Sequence, residues 1–332
     1  MEINQSPRMT RYVVECGVFR TAPFFLVDVG ASGGIDSHWR EFGNQLSAVG
    51  FDPLIGEVAR LNQSEQTASV RYVAAMVGCR SNPETPPGAF QTDTFAGTST
   101  VWARALERMN YTAAVYDQTH SGASTPEMVE LDEYFAGQHD AIDFLKTDTD
   151  GQDIAVLRGS RKLLSTAGPM ALAVEVLFWG AASEATNFFS NVDPYLRDLG
   201  YSLFAIEPRF HTRAALPGMF RWNQFADTHT GRACWGNTLF CRDVCLPDYE
   251  KRFGIALTPA KLLKLCCVHE LYGFPDCAAE VLLQFRDRLQ PVVDVDRCLD
   301  LLTPPLPDGR RVSYREYIET FRKTPAAFYS GR

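Results

Sequence analysis

Apolar residues in this chain gather in short unbroken runs, and mixed segments with helical spacing separate the runs. Unbroken runs of this kind are typical of strands that are buried on both faces of a sheet. Strand character is found at 24–27, 48–51, 70–74, 141–147, 170–177, 201–206 and 235–241. Helical character is found at 37–45, 58–62, 152–164 and 187–199.

The alternation of strands and helices predicts a parallel α/β sheet with right-handed crossovers and helices on both faces. A long aromatic and polar connection, 208–233, joins the sixth strand to the seventh. A seventh strand inserted antiparallel at that edge fits such a connection. We therefore expect a seven-stranded α/β sheet.

The pattern changes at residue 247, after which only helical segments follow. Residues 260–271 and 278–289 predict two amphipathic helices, and shorter helices are expected around Leu299 and at 314–321. We therefore divide the chain into an N-terminal segment (1–23), an α/β domain (24–246) and a helical extension (247–332). The extension could cover the sheet, cap an acceptor site or form a homodimer contact.

One long segment of the predicted α/β domain, residues 80–125, interrupts the alternation of strands and helices. Long insertions near strand ends often form lids or binding elements. The segment is therefore a candidate lid, and a solvated excursion without a function is the alternative.

The composition is that of an ordinary globular protein. Of the 332 residues, 45% are apolar and 22% are charged, and the formal net charge is −8. No run rich in lysine and arginine stands out, so nucleic acid is not an expected partner. The chain has no signal-like start and no apolar stretch of about 18 residues, so we expect a cytoplasmic protein without a membrane span. The nine scattered cysteines indicate reduced thiols.

The first predicted strand ends in an acid, Asp28, and a glycine-rich turn with Gly30, Gly33 and Gly34 follows it. Such a turn brings backbone against a nucleotide-like ligand. The spacing departs from the G-x-G-x-x-G of dinucleotide sites, and a carboxylate at this position would repel a pyrophosphate. A ligand with an amino group and a sulfonium suits it better, and S-adenosylmethionine (SAM) is such a ligand. A tight turn without a ligand is the alternative.

A second acid, Asp52, ends the second strand, where α/β folds hold a ribose diol. It would accept hydrogen bonds from both ribose hydroxyls, or it could simply be a turn residue before Pro53. The candidate cofactor-binding residues are Asp28, Gly30, Ser32, Gly34 and Asp52. Asp28 would either anchor the turn or face the amino group of SAM.

Three stretches of the sequence resemble the FkbM family of methyltransferases. They are Asp28-Val-Gly-Ala-Ser-Gly-Gly34, Phe51-Asp-Pro53 and the 143–159 stretch DFLKTDTDGQDIAVLRG. The family shows D-V-G-A-N-x-G, F-E-P and D-F-L-K-I-D-V-E-G-x-E-x-x-V-L-x-G at these places. The closing strand at 236–240 is also similar to the last strand of the family.

The resemblance covers about residues 24–242 and implies a class I, Rossmann-like, SAM-dependent methyltransferase that usually acts on oxygen. Known members modify hydroxyls of natural products and sugars. The departures are chemically mild: Ser32 stands where the family has Asn, and Asp52 and Asp150 stand where it prefers Glu. The helical extension lies outside the resemblance.

Two carboxylates, Asp148 and Asp150, follow the fourth strand and would share a face if the strand continued. One of them could be a general base for the acceptor hydroxyl. The pair could instead hold a divalent cation such as Mg²⁺, which is possible but not favoured, or Asp150 could cap a helix that starts near Gln152. Lys146 is expected on the opposite face from Asp148.

Two further residues are catalytic candidates. Glu175 interrupts an apolar strand, and an unpaired buried carboxylate is costly. Glu175 therefore either faces the acceptor or forms hydrogen bonds that serve only the fold. His38 follows the glycine turn and could face the acceptor, or it could lie on the exposed surface of a helix. In the connection 208–233, His211 and His229 could line an acceptor wall.

The expected activity is SAM-dependent O-methylation of a hydroxyl on a sugar, glycan or natural-product acceptor. One alternative is a non-catalytic interaction protein on the same scaffold, in which the helical extension carries the function. Another is an NAD(P)-dependent oxidoreductase, against which the glycine spacing and Asp28 weigh.

Overall fold

A computed structural model describes residues 1–81, 126–149, 151–179, 184–213, 215–221 and 227–329. Its strands are β1 (Phe24–Val29), β2 (Leu46–Asp52), β3 (Val70–Ala74), β4 (Met76–Val77), β5 (Met128–Val129), β6 (Phe144–Thr147), β7 (Ala171–Leu177), β8 (Tyr201–His211) and β9 (Arg232–Arg242). The candidate lid at 80–125 lies outside the described residues from position 82 onward.

The helices of the described residues are α1 (Arg8–Glu15), α2 (Ile55–Ser64), α3 (Leu131–Tyr134), α4 (Asp153–Arg158), α5 (Arg161–Ser165), α6 (Phe189–Asp198), α7 (Tyr249–Phe253), α8 (Pro259–Leu271), α9 (Pro275–Gln284), α10 (Arg286–Leu289), α11 (Val295–Leu302) and α12 (Tyr314–Lys323). Short 3-10 segments cover Ser37–Gln45, His139–Ala141 and Pro325–Phe328. In this part of the chain no helix combines the length and apolar character needed to cross a membrane.

Seven strands form one sheet in the order β3-β2-β1-β6-β7-β9-β8. The β2–β3, β1–β6 and β6–β7 pairs are parallel. Strand β9 lies between β7 and β8 and runs antiparallel to both. The seven-stranded α/β sheet with an antiparallel last strand is therefore confirmed. Strands β4 and β5 pair separately.

The central strands explain why the apolar runs located the sheet. Leu26, Val27, Phe144, Leu145 and Leu172 are fully buried. Because neighbours cover both faces of these strands, inward and outward positions are equally apolar and the pattern does not alternate.

Two predicted helices differ in the structure. The segment Ser37–Gln45 is a 3-10 segment that breaks at Gly43, whose φ is 53°. The helix expected at 152–164 is two short helices, α4 and α5. The break falls at Gly159, where an added Cβ would lie 2.1 Å from the Gly78 carbonyl oxygen.

Strand β8 is longer than predicted and contains Pro208, which is tolerated there because β8 is an edge strand.

The described contacts divide the chain into two compact units. The first comprises Met1, Phe25–Ile35 and Ala48–Asp243, and the second comprises Glu2–Phe24, Asp36–Ser47 and Val244–Arg332. The division into segments 1–23, 24–246 and 247–332 made from the sequence stays a prediction.

In the second unit, α8 is buried on all sides from Lys261 to Leu271, so its prediction as an amphipathic helix is wrong. Its Glu270 carboxylate accepts hydrogen bonds from the backbone N–H of Met9 at 2.9 Å and of Thr10 at 2.7 Å. These donors lie in the first turn of α1, where helical N–H groups have no partner in their own helix. Glu270 therefore caps α1 from a distant part of the chain.

In the first unit, Arg242 at the end of β9 is 1% exposed. Its guanidinium donates to the carbonyls of Leu164 and Thr166 at 2.8 Å each, of Pro169 at 3.1 Å and of Leu199 at 3.3 Å. The carbonyls of Leu164, Thr166 and Leu199 lie at or just beyond the ends of α5 and α6, and that of Pro169 lies between α5 and β7. Arg242 thus donates to acceptors at the ends of two helices, where carbonyls have no partner in their own helix.

Replacement of Arg242 by methionine is expected to lower the free energy of unfolding by about 3 kcal/mol or more, because several buried carbonyls would lose their donor. Urea unfolding followed by circular dichroism measures this change. Arg197→Met, on the exposed side of α6, is the matched control and should change stability by about 0.5 kcal/mol or less. Equal effects of the two substitutions would contradict the assigned role.

Candidate functional site

The end of β1 forms an ion pair with the end of β6, between a buried aspartate and a partly exposed lysine. Asp28 is fully buried and is the register partner of Lys146. The Lys146 Nζ lies 3.2 Å from Asp28 Oδ1 and 3.9 Å from Asp148 Oδ2. The prediction that Lys146 and Asp148 face opposite sides is wrong, because residues two apart in an extended chain share a face.

The glycine turn brings three strand ends together. Gly30 has a φ of 84°, and an added Cβ would lie 1.8 Å from the backbone oxygen of Asp148. The N–H groups of Gly30 and Ala31 both donate to the Phe51 carbonyl at 2.9 Å. The chain after β1 is thereby fixed against the end of β2 and the chain after β6.

The rest of the turn is open. Ser32 and Gly33 are exposed, and an added Cβ at Gly33 would meet no atom within 4 Å. The Gly33 N–H donates to Glu57 Oε1 at 3.0 Å, and Arg60 pairs with the same carboxylate. The hydrogen bond from Arg60, and then that from Gly33, lower the pKa of Glu57 to about 2. The hydrogen bond to Glu57 fixes the turn at Gly33, while Ser32 and Gly33 stay exposed to solvent.

Asp52 ends β2 beside this turn and is 4% exposed. Its Oδ1 accepts from the Leu54 N–H at 2.8 Å, and the Ser32 backbone also hydrogen-bonds to the carboxylate. Burial raises the pKa of Asp52, and the nearby Glu57 charge raises it further. A carboxylate offers about four acceptor positions. Two backbone donors leave two positions, which suits the two hydroxyls of a ribose.

Two candidate catalytic carboxylates lie side by side at the strand ends. The Asp148 N–H continues the ladder to the Val29 carbonyl at 2.9 Å, and the Asp148 side chain is 44% exposed. Thr147, one position earlier, is the register partner of Val174. Asp148 is therefore level with Glu175, which is half-buried, and both face the same side of the sheet. Asp150 lies outside the described residues.

The structure adds a residue that the sequence analysis missed. Asp153 begins α4 and is fully buried. Its Oδ1 accepts from the Thr149 N–H at 3.3 Å and its Oδ2 accepts from Asn187 Nδ2 at 3.0 Å. Asn187 also donates to the Glu175 carbonyl. Asp153 therefore ties the chain after β6 to strand β7.

Burial, with a further contribution from the Asp148 charge, raises the pKa of Asp153 to about 7. The available signal was the acid of the quoted G-x-E pattern, which falls on Asp153 in this sequence. Its burial could not be read from the pattern.

His38, the remaining catalytic candidate, belongs to the second unit. Its ring lies 4.5 Å from the ring of Trp39 and 5.7 Å from that of Tyr272. Together with Asp36 and Glu41 it lines a pocket of about 210 Å³ on that unit. The rings that contact His38 therefore belong to the second unit, whereas the candidate carboxylates Asp148 and Glu175 belong to the first.

The suggested acceptor wall is partly described. His211, at the end of β8, is buried, and its Nε2 accepts from Trp235 Nε1 at 3.3 Å. Burial lowers the pKa of His211 below its usual value, so the ring is neutral at pH 7. His229 is exposed. Nowhere in the described ranges do three His, Cys, Asp or Glu side chains gather as they would around a metal ion.

A glycine turn after β1, a carboxylate at the end of β2 and an antiparallel last strand define a Rossmann-like methyltransferase sheet. The model of the Methyltransferase FkbM domain matches residues 28–203, more than half of the chain. The chain therefore belongs to the FkbM family and is a SAM-dependent methyltransferase.

Three solved structures share a distant likeness. A TehB-like SAM-dependent methyltransferase from Corynebacterium glutamicum is 10% identical, with a TM-score of 0.26 over 70% of this chain and 87% of that chain. A SAM-dependent methyltransferase from Aquifex aeolicus is 9% identical, with a TM-score of 0.28 over 72% and 94%. The 1,6-didemethyltoxoflavin-N1-methyltransferase from Burkholderia thailandensis is 10% identical, with a TM-score of 0.27 over 72% and 78%. No curated protein matches the sequence. The family assignment rests on the domain match.

Replacement of Gly30 by alanine is expected to lower the free energy of unfolding by about 3 kcal/mol, because the Cβ adds a clash with the Asp148 backbone to a left-handed φ. Gly33→Ala has the same backbone penalty without the clash and should cost about 1–2 kcal/mol. Urea unfolding of both variants measures the difference. A smaller effect at Gly30 than at Gly33 would contradict the close approach.

Replacement of Asp153 by asparagine is expected to alter the pH dependence of stability. The folded pKa of about 7 lies above the unfolded value, so the favourable neutral form is lost as pH rises through about 7. Wild-type stability should therefore fall relative to Asp153→Asn between the unfolded pKa of about 4 and the folded pKa, by at most ~1.4 kcal/mol per pH unit, and should level off at higher pH. Unfolding at several pH values tests this, with exposed Asp198→Asn as the control. Parallel curves for wild type and Asp153→Asn would rule out the expected titration.

Proposed function

We propose that this protein transfers the methyl group of SAM to a hydroxyl of a sugar, glycan or natural-product acceptor. The supporting observation is the set of groups at one edge of the sheet. Asp52 ends β2 and the glycine turn follows β1, and Asp148 and Glu175 lie at the ends of β6 and β7. Ligands of α/β proteins bind outside the carboxyl ends of their strands.

The β1–β2 half of this edge has the donors and acceptors that SAM needs. Asp52 would accept hydrogen bonds from the ribose hydroxyls, and the open backbone of Ser32–Gly34 would lie along the methionine part. Asp28 is fully buried against Lys146. We therefore assign Asp28 to anchoring the turn rather than to contact with the amino group. When bound, SAM supplies a methyl group that its positively charged sulfur already activates.

The β6–β7 half would receive the acceptor. Asp148 is the most accessible carboxylate described there and would take the hydroxyl proton on a carboxylate oxygen. Glu175 on the neighbouring strand is the second candidate for that role. Asp153, which accepts a hydrogen bond from the Thr149 N–H, would keep the chain after β6 in place. Alignment of the two reactants is then the main contribution of the protein to the rate.

Replacement of Asp52 by alanine is expected to weaken SAM binding by about 10- to 100-fold, because charge-assisted hydrogen bonds to the ribose are lost. Calorimetric titration with SAM, and separately with its demethylated product, measures the change. Asp198→Ala, an exposed carboxylate at the end of α6, is the control and should bind SAM as the wild type does.

Equal SAM affinity in wild type and Asp52→Ala would exclude the assigned role of Asp52. No binding of SAM, together with a rise in melting temperature on addition of NAD, would favour the oxidoreductase alternative instead.

With SAM binding established, transfer of an isotopically labelled methyl group to glycans and hydroxylated natural products identifies the acceptor. Label on nitrogen or carbon instead of oxygen would overturn the O-methylation proposal.

A further inference from the structure

The glycine turn after β1 uses every backbone N–H group from Gly30 to Ile35 within the fold. A phosphate or another anion that binds to such a turn needs N–H groups without a partner. The six N–H groups donate, in chain order, to the carbonyl of Phe51 twice, the carboxylates of Asp52 and Glu57, the carbonyl of Ala31 and the hydroxyl of Tyr72. Within the described structure, the turn therefore presents no unpaired N–H group to a ligand.

Glu57 pairs with the most open part of this turn. Gly33 is exposed, and an added Cβ there would meet no atom within 4 Å. Glu57 lies in the first turn of α2, and its Oε1 accepts a hydrogen bond from the Gly33 N–H at 3.0 Å. The same carboxylate accepts from Arg60 Nε at 2.7 Å and from Arg60 Nη2 at 2.6 Å. One side chain thus occupies both a backbone donor and a guanidinium group.

The two groups that Glu57 occupies are of the kind that binds phosphate. Backbone N–H groups of glycine turns and guanidinium groups both donate readily to phosphate oxygens. Without the Glu57 carboxylate, the Gly33 N–H and the Arg60 guanidinium would have no acceptor among the described residues. The hydrogen bonds from Arg60 and then from Gly33 lower the pKa of Glu57 to about 2, so its charge persists at neutral pH. Glu57 therefore stands where an anion would bind, and it repels a second anion.

Glu57 also lies close to the residue assigned to the ribose. The Asp52 carboxylate is hydrogen-bonded to the backbone of Ser32, which precedes Gly33 in the chain. Consecutive Cα atoms are only about 3.8 Å apart. Burial raises the pKa of Asp52, and the charge of Glu57 raises it further, which also indicates that the two carboxylates are near each other. A substituent on a ribose bound at Asp52 can therefore reach the Glu57 carboxylate.

We propose that Glu57 makes the cofactor site selective for SAM by excluding adenine nucleotides that carry a phosphate on the ribose. This inference rests on the proposed function, in which Asp52 binds the ribose. At its 5′ position SAM carries a sulfonium, an amino group and one carboxylate, a net positive charge, whereas AMP and NAD carry phosphate there. The Glu57 carboxylate attracts the positive charge and repels the phosphate. It also occupies the two donors that a phosphate would use.

Calorimetric titrations of the full chain with adenosine, AMP and SAM test this proposal, because the three ligands share one nucleoside and differ at its 5′ position. The wild type should bind AMP more weakly than adenosine. Glu57→Ala should raise the affinity for AMP by about fivefold or more, because the Gly33 N–H and Arg60 become available to the phosphate. The affinity for SAM should stay the same or fall by no more than about threefold, because an attractive charge is lost. The affinity for adenosine should not change.

Glu57→Gln keeps an acceptor for the Gly33 N–H and removes the charge, so it should raise AMP affinity by about twofold. This variant carries the test if Glu57→Ala does not fold. Asp198→Ala removes an exposed carboxylate from the end of α6 and is the matched control for net charge, so it should bind AMP as the wild type does. A role of Glu57 in folding alone would weaken all three ligands together. The inference is overturned by that result, by equal binding of AMP and adenosine to the wild type, or by a gain in AMP affinity as large in Asp198→Ala as in Glu57→Ala.

The SAM titration separates this inference from the proposed function. SAM binding, together with an AMP affinity that neither substitution of Glu57 raises, overturns the selectivity assigned to Glu57 and leaves the methyltransferase proposal standing. An AMP affinity that depends on Glu57, in a protein that does not bind SAM, overturns the assignment of Glu57 as a selector for SAM.

Discussion

The arrangement of the candidate site depends on one ion pair, buried Asp28 with partly exposed Lys146. Removing the Asp28 charge from water is costly, and close pairing with Lys146 offsets that cost. A slip of either strand by one residue would separate the charges and turn one of them to the opposite face. The pair therefore favours a single register of β1 and β6. That register sets the chain after β6, on which Asp148 lies, against the turn at Gly30.

Much of this arrangement could be predicted because the physical causes are local in sequence. A strand buried on both faces must be apolar throughout, so apolar runs marked the strands. A left-handed turn requires glycine, so the glycines marked the turn after β1. The parts that were missed have causes distant in sequence. The split between α4 and α5 depends on contact between Gly159 and Gly78, and the importance of Asp153 depends on its burial.

The two halves of the sheet edge differ in chemistry. Around β1 and β2, backbone N–H groups and carboxylates shape a surface suited to a hydroxylated, positively charged molecule. Around β8 and β9, indole rings and guanidinium groups dominate. The sequence indicated only that the connection between these outer strands is aromatic and polar. Its ordered pairs, such as Arg209 with Asp227, form between residues whose contact no local pattern predicts.

The cap that Glu270 provides for α1 has a consequence for synthesis of the chain. An eight-residue helix is unstable alone in water, and its first N–H groups remain solvated until their partner exists. At translation rates of about 5–20 residues per second, more than about ten seconds separate Met9 from Glu270. Helix α1 is therefore synthesised well before the residue that caps it. A nascent chain would carry it exposed, available to ribosome-associated chaperones, until α8 emerges.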